Sequence, residues 1–141
     1  MPSDKVTIHA FRLKPGEDLK AGIDSIVQRE KIEAGWIMTC VGSLTRTAIR
    51  YANQPIADSM SGHFEIVSLT GTVSIQGSHI HISVSDSAGK TIGGHLMPGN
   101  TVYTTAEIVI GQTKDLTFAR EKDGTTEWPE LQVREKNSPP Q

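Results

Sequence analysis

The sequence predicts an α+β fold, a mainly antiparallel β-sheet with one principal helix, and three observations carry that prediction. A single stretch, Leu19, Ile23, Ile26 and Val27, places apolar side chains at helical spacing. From Trp36 onward the apolar residues recur at period two, cut into short runs by Gly, Pro, Asn and Asp. The chain has 141 residues and a hydrophobic fraction of 36%, which suits one domain with one core.

Taken in order, residues 6–13 read as a first strand, broken by Lys14-Pro15-Gly16. Glu17 and Asp18 then suit the positive end of a starting helix. Glu30 intrudes on the apolar stripe, Ile32 falls off it, and Gly35 is the expected helix end. Residues 36–41 read as a buried strand, Gly42-Ser43-Leu44 as a bend, residues 45–52 as a strand, and 53–62, with Pro55, as a loop. Residues 64–76 are β-rich, with a bulge expected at Gly71. Turns at Gln76-Gly77, Asp86-Ser87-Ala88-Gly89 and Pro98-Gly99-Asn100 separate strands at 78–85, 91–96 and 102–110. A weaker strand spans 116–120, and Lys122-Asp123-Gly124 signals a hairpin. Residues 1–133 form a single domain in this reading. Residues 134–141, polar with Pro139 and Pro140, form a disordered tail.

Composition narrows the function classes. Fourteen basic residues against sixteen acidic ones give a net charge of −2 without a basic run, so direct DNA binding is expected to be weak or absent. The single cysteine, Cys40, allows no internal disulfide; it could be a soft metal ligand, but its strand context favours a core thiol. The first residues lack an apolar signal core, and no stretch approaches the ~20 apolar residues that span a bilayer. The expectation is a soluble cytoplasmic protein without a membrane partner.

The chemistry concentrates in Ser78-His79-Ile80-His81-Ile82-Ser83-Val84. Strand side chains alternate faces, so Ile80, Ile82 and Val84 share the core face while His79, His81 and Ser83 share the other. Two imidazoles at i and i+2 stand about 7 Å apart at their bases, within reach of one ion. The next segment carries His95 after Gly93-Gly94, and the short connection between the two segments favours a hairpin that brings His95 alongside. The two glycines are expected to leave space beside the imidazoles. Three histidines with an open fourth position is the pattern of a ligand-exchanging zinc site and suits other divalent metals. A chance pair of surface histidines is the plainer alternative.

Metal-bound imidazoles need partners that orient the ring. Glu107, a carboxylate within the apolar strand Thr104-Thr105-Ala106-Glu107-Ile108-Val109, is the first candidate, either as that partner or as an acid or base. A strand-face residue paired with Lys or Arg is its alternative reading. Glu65, before Ile66-Val67, is a second candidate of the same kind. His9 and His63 carry no spacing signal, and there is no nucleophile elbow, Walker loop or dinucleotide fingerprint.

The blocks from Gly62 to Ser74, from His79 to Ser83 with Asp86, Gly93-Gly94-His95-Leu96, and Thr104 to Ile108 resemble, in order, the signature of the PPC (plant and prokaryote conserved) domain, over roughly residues 5–120. The resemblance implies an α+β fold and a homotrimer. In plant relatives the domain follows AT-hook motifs in nuclear DNA-binding proteins and mediates protein contacts, whereas bacterial and archaeal members are mostly the bare domain. This chain has no AT-hook core. It carries Ser61-Gly62-His63-Phe64-Glu65-Ile66 where many plant members have an arginine-containing hexapeptide. The fold is also similar to that of acetolactate decarboxylase, which holds a metal through three histidines. The expected function is therefore a metal-binding, zinc-like domain with small-molecule chemistry of lyase or hydrolase type. A DNA-associated regulatory module and a structural trimer that binds protein partners are the alternatives.

Overall fold

The computed structural model describes residues 1–136. In chain order the elements are β1 (Val6–Leu13), α1 (Leu19–Arg29), β2 (Gly35–Arg50), β3 (Asp58–Val73), β4 (His79–Ser85), β5 (Thr91–Leu96), β6 (Thr101–Thr113), β7 (Leu116–Glu121) and β8 (Glu130–Glu135). Six strands form one antiparallel sheet in the order β1-β6-β2-β3-β4-β5, and β7 and β8 form a separate pair. The far edge of the large sheet folds back, because β5 pairs with β4 and also with the end of β2 through Ile49↔Leu96 and Arg50↔His95. The expected α+β architecture holds.

The helix begins where Asp18 accepts a hydrogen bond from the Ala21 N–H at 2.8 Å, an N-cap worth about 1 kcal/mol. The other Asp18 oxygen accepts from Gly99 N–H at 2.7 Å, tying the helix start to the turn after β5. Leu19, Ile23, Ile26 and Val27 are buried, as their spacing predicts. The helix does not run to Gly35. Lys31 adopts φ 52°, and the N–H groups of Lys31 and Ile32 return to the carbonyls of Gln28 and Val27. This is a left-handed helix stop built on lysine instead of glycine. It turns Ile32 inward, where it is fully buried, which accounts for its departure from the stripe. Gly35 instead opens β2, at a point where a Cβ would stand 2.8 Å from Ile32 Cγ2.

Other boundaries shift for related reasons. Residues 36–52 form one strand through most of their length, and the expected bend at Gly42-Ser43-Leu44 is a set of register shifts within it. The loop expected over 53–62 gives way at Asp58, since residues 58–61 pair with 46–49. Met60 is the one apolar side chain among them and sets no period, but the ladder is made by backbone groups and does not require one. The bulge lies at Val67, between Ile66 and Ser68, and not at Gly71. Gly71 faces Ile80 across β3 and β4, where a Cβ would fall 2.1 Å from the His79 carbonyl oxygen. Glycine there permits the close approach of the strand that carries the histidines. Arg134 and Glu135, expected in the tail, belong to β8, where Arg134 pairs with Glu121 at 2.6 Å. Residues 137–141 of that expected tail lie outside the described residues.

The core joins α1 to the inner face of the sheet. Leu19, Ile23, Leu44, Ile49, Ile82, Val84, Val102, Ile108 and Ile110 are at most 2% exposed and belong to one cluster. Among the described residues no helix is long and apolar enough to cross a membrane.

Candidate metal centre

Alternation along β4 places the histidines as predicted. Ile80, Ile82 and Val84 are buried, while His79 and His81 stand on the open face. The turn over residues 86–90 is closed by Asp86, which accepts from the N–H groups of Ala88 and Lys90 at 2.9 Å. This closure sets Ser85 opposite Thr91 and so brings His81 opposite His95. Opposed residues of an antiparallel pair project to the same face, which is why the third ring joins the first two.

The three rings are mutually close. Centroid separations are 4.9 Å for His79 and His81, 4.6 Å for His81 and His95, and 5.4 Å for His79 and His95. The Nε2 atoms of His79 and His81 stand 3.2 Å apart, and one donor nitrogen from each ring lies within 4.8 Å of the others. A tetrahedral ion 2.0–2.1 Å from each nitrogen requires separations of about 3.3 Å. The first pair meets this already, and the third needs a shift on the order of 1 Å, within the range of side-chain rotation. The donor set therefore fits a divalent ion.

The surroundings favour the neutral form of His79 and His95, the state that binds metal. Partial burial first, then His81 and Arg120, lower the His79 pKa; Glu130 opposes them and Arg50 adds a smaller lowering. Burial first, then Arg50, His81 and His79, lower that of His95.

Asn100 holds this geometry from behind and has no counterpart in the sequence reading, which saw only a turn residue. It is fully buried. Its side-chain oxygen accepts from Ala48 N–H at 3.0 Å, and its amide nitrogen donates to the Ala48 carbonyl at 2.9 Å and the Met97 carbonyl at 2.6 Å. The amide thus replaces a missing strand partner and fixes the end of β5 against β2, next to the Arg50↔His95 pair. Gly93 and Gly94 also act differently from expectation. Instead of leaving space beside the rings, they allow backbones to meet: added Cβ atoms would fall 2.7 Å from the Ile82 carbonyl oxygen and 2.5 Å from that of Arg50.

The two candidate carboxylates are not brought to the rings. Glu107 pairs with Arg12 on β1 and Val41 on β2, and two strands lie between β6 and β4. It accepts a hydrogen bond from Thr105 Oγ1 at 3.4 Å. Glu65 faces Ser85, four residues beyond His81 along β4 and therefore about 13 Å away. The carboxylate whose charge reaches His79 is Glu130, on β8. Sequence spacing carries no sign of it, because it is 51 positions from His79. Cys40 packs against the core, away from the three rings, and burial, assisted by Glu107, pushes its thiol up to about 12. His9 bonds to Gln112 Oε1 at 2.8 Å, and His63 lies against Tyr103 with ring centroids 4.8 Å apart.

Comparisons with known proteins agree with this picture. A hypothetical protein from Salmonella enterica shares 40% identity and superposes with a TM-score of 0.94, covering 96% of this chain and 99% of that one. A metal-containing protein from Archaeoglobus fulgidus shares 25% identity at a TM-score of 0.78, covering 89% of this chain and 93% of that one. The bifunctional protein GlmU of a Synechococcus strain is 37% identical over 134 residues, 95% of this chain but 21% of that protein. The chain thus spans about a fifth of the length of the curated relatives it matches. The model of the Plants and Prokaryotes Conserved (PCC) domain, the PPC family of the sequence resemblance, matches residues 2–114, and the chain belongs to that family.

Proposed function

We propose that the protein is a metal-binding domain in which His79, His81 and His95 hold one divalent ion, zinc or a metal of similar preference. The observation that carries this reading is the placement of three ring nitrogens within 4.8 Å of one another on one sheet face. The metal-containing relative from Archaeoglobus fulgidus supports it. An ion held by three neutral imidazoles keeps a coordination position for an exchangeable ligand and would polarise a bound oxygen, chemistry suited to a lyase or a hydrolase.

Elemental analysis of the purified protein tests the reading. About one metal per chain is expected, and it should be lost in the His79→Ala/His81→Ala variant while circular dichroism stays unchanged. A native protein that takes up no metal from a zinc-containing medium, with its fold intact, would overturn it.

The reading includes self-association, as the family resemblance implies. Ile8, Met38, Val41 and Val67 are roughly half exposed on strands of the large sheet, an arrangement that favours burial against further copies. Light scattering should give three times the 15.3 kDa chain mass, and a monomer at micromolar concentration would remove this part. Direct DNA binding should be weak. The net charge of −2 offers little for phosphates, so duplex affinity should show no steep fall with added salt.

A further inference from the structure

Beside the histidines lies an open cavity of ≈ 950 Å³, walled by His79 and His95 on one side and by Trp128 and Pro129 of the β7–β8 connection on another. Its charged lining is unbalanced: Lys20, Arg50 and Arg120 face it with one carboxylate, Glu130. Lys20 is already paired with Asp24 at 2.7 Å. Neither Arg50 nor Arg120 has a carboxylate partner among the described residues. Arg50 donates to the Gln54 carbonyl at 3.2 Å, and Arg120 donates at 2.8 Å to Oγ1 of Thr72, the β3 residue paired with His79 on β4. Two guanidiniums oriented by neutral acceptors retain free N–H groups and an uncompensated charge, the arrangement that suits an oxyanion. Trp128 is 68% exposed at the rim, a large indole left open to solvent. An indole in that position suits the flat or apolar body of a ligand whose charged end lies deeper.

We propose that this cavity receives a small organic anion, a carboxylate or phosphate ester with a flat or apolar body, its charged end gripped by Arg50 and Arg120 beside the three histidines and its body against Trp128. The inference rests on the metal reading for one anchor of the charged end; the arginines supply the other independently. The cavity volume lies within the range of small-molecule sites, roughly 300–1,000 Å³.

Benzoate, phenyl phosphate and inorganic phosphate serve as probes, titrated calorimetrically into the full chain with and without zinc and followed by indole fluorescence. At least one organic probe should bind more tightly than inorganic phosphate and change the Trp128 emission; whether benzoate or phenyl phosphate binds better identifies the head group. Arg50→Gln and Arg120→Gln should each weaken the preferred probe by about tenfold or more with metal content unchanged. Arg50→Lys and Arg120→Lys should recover part of the loss, which separates lost charge from misfolding. Trp128→Ala should weaken the organic probe and leave inorganic phosphate unaffected. Stoichiometric zinc without binding of any probe would overturn this proposal and leave the metal site standing. Arginine-dependent binding in a protein that takes up no zinc would support the cavity and remove the metal. Inorganic phosphate binding as tightly as both organic probes, indifferent to Trp128, would also overturn it.

Discussion

The β4–β5 hairpin and the middle of β6 each carry polar residues within apolar strands, but the hairpin gathers its own into a cluster and β6 leaves Glu107 dispersed. In the hairpin a turn of five residues, 86–90, fixes the pairing, so His95 must face His81. Glu107 has its neighbours at Arg12 and Val41, 95 and 66 positions away in the chain, and no local signal determines which residues those are. Short loops convert sequence spacing into spatial proximity; long-range strand order does not reveal itself in the same way.

The strongest way to break this contrast is to compare substitutions in the two regions. His95→Ala should reduce metal affinity by about a hundredfold or more, since it removes a ligand outright, whereas Glu107→Gln and Glu65→Gln should leave it within about twofold. Zinc titration against a competing chelator measures all three. An effect of Glu107→Gln comparable with that of His95→Ala would place the carboxylate at the ion after all.

Asn100 tests whether the hairpin depends on support from behind. Asn100→Ala removes the acceptor of the Ala48 N–H and the side-chain donor to the Met97 carbonyl, while the Ala48 carbonyl keeps the Met97 N–H, at a cost of about 2–4 kcal/mol of stability, measurable by urea unfolding. A loss below about 1 kcal/mol would show that β5 is held mainly by its ladder to β4.

Acidity sharpens the comparison next. Free imidazole titrates near 6.5, and the folded values of His79 and His95 lie below that. A group whose folded pKa is depressed contributes stability that is complete above the unfolded value and is lost as pH falls through the folded one. The melting temperature of the metal-free protein should therefore decline from about pH 6.5 downward, and both rings should titrate below 6.5 by NMR. A titration of either ring above 6.5 would contradict the burial and cationic neighbours described for it.

The smallest effect is expected at Cys40. With its thiol pushed up to about 12, it should react with iodoacetamide at pH 8 at least about tenfold more slowly in the native protein than after unfolding. Glu107→Gln should raise that rate only slightly, because burial is the larger cause. Rapid native labelling would show Cys40 to be more accessible than its packing implies.

Much of the fold was legible because the periods of helix and strand differ so clearly. Alternation through Ser78–Val84 placed two of the three histidines on one face, and a short turn placed the third. What was not legible depends on backbone geometry or on distant residues. Lys31 ends the helix in a conformation usually left to glycine, and Gly35 and Gly71 serve close approach, which the letters alone do not distinguish from a stop or a bulge. Asn100, Arg50, Arg120, Glu130 and Trp128 reach the site from remote positions, and each is an ordinary turn, strand or loop residue when read locally.

The separate pair formed by β7 and β8 gives the molecule a modular character. The family model ends at residue 114, so the three histidines fall inside the matched portion, while Arg120, Trp128 and Glu130 lie beyond it. On the proposed reading, the histidines could keep an ion while the hairpin is redrawn to admit a different guest. Exchanging residues 116–135 between relatives offers a direct route to altered ligand preference with the coordination chemistry left in place.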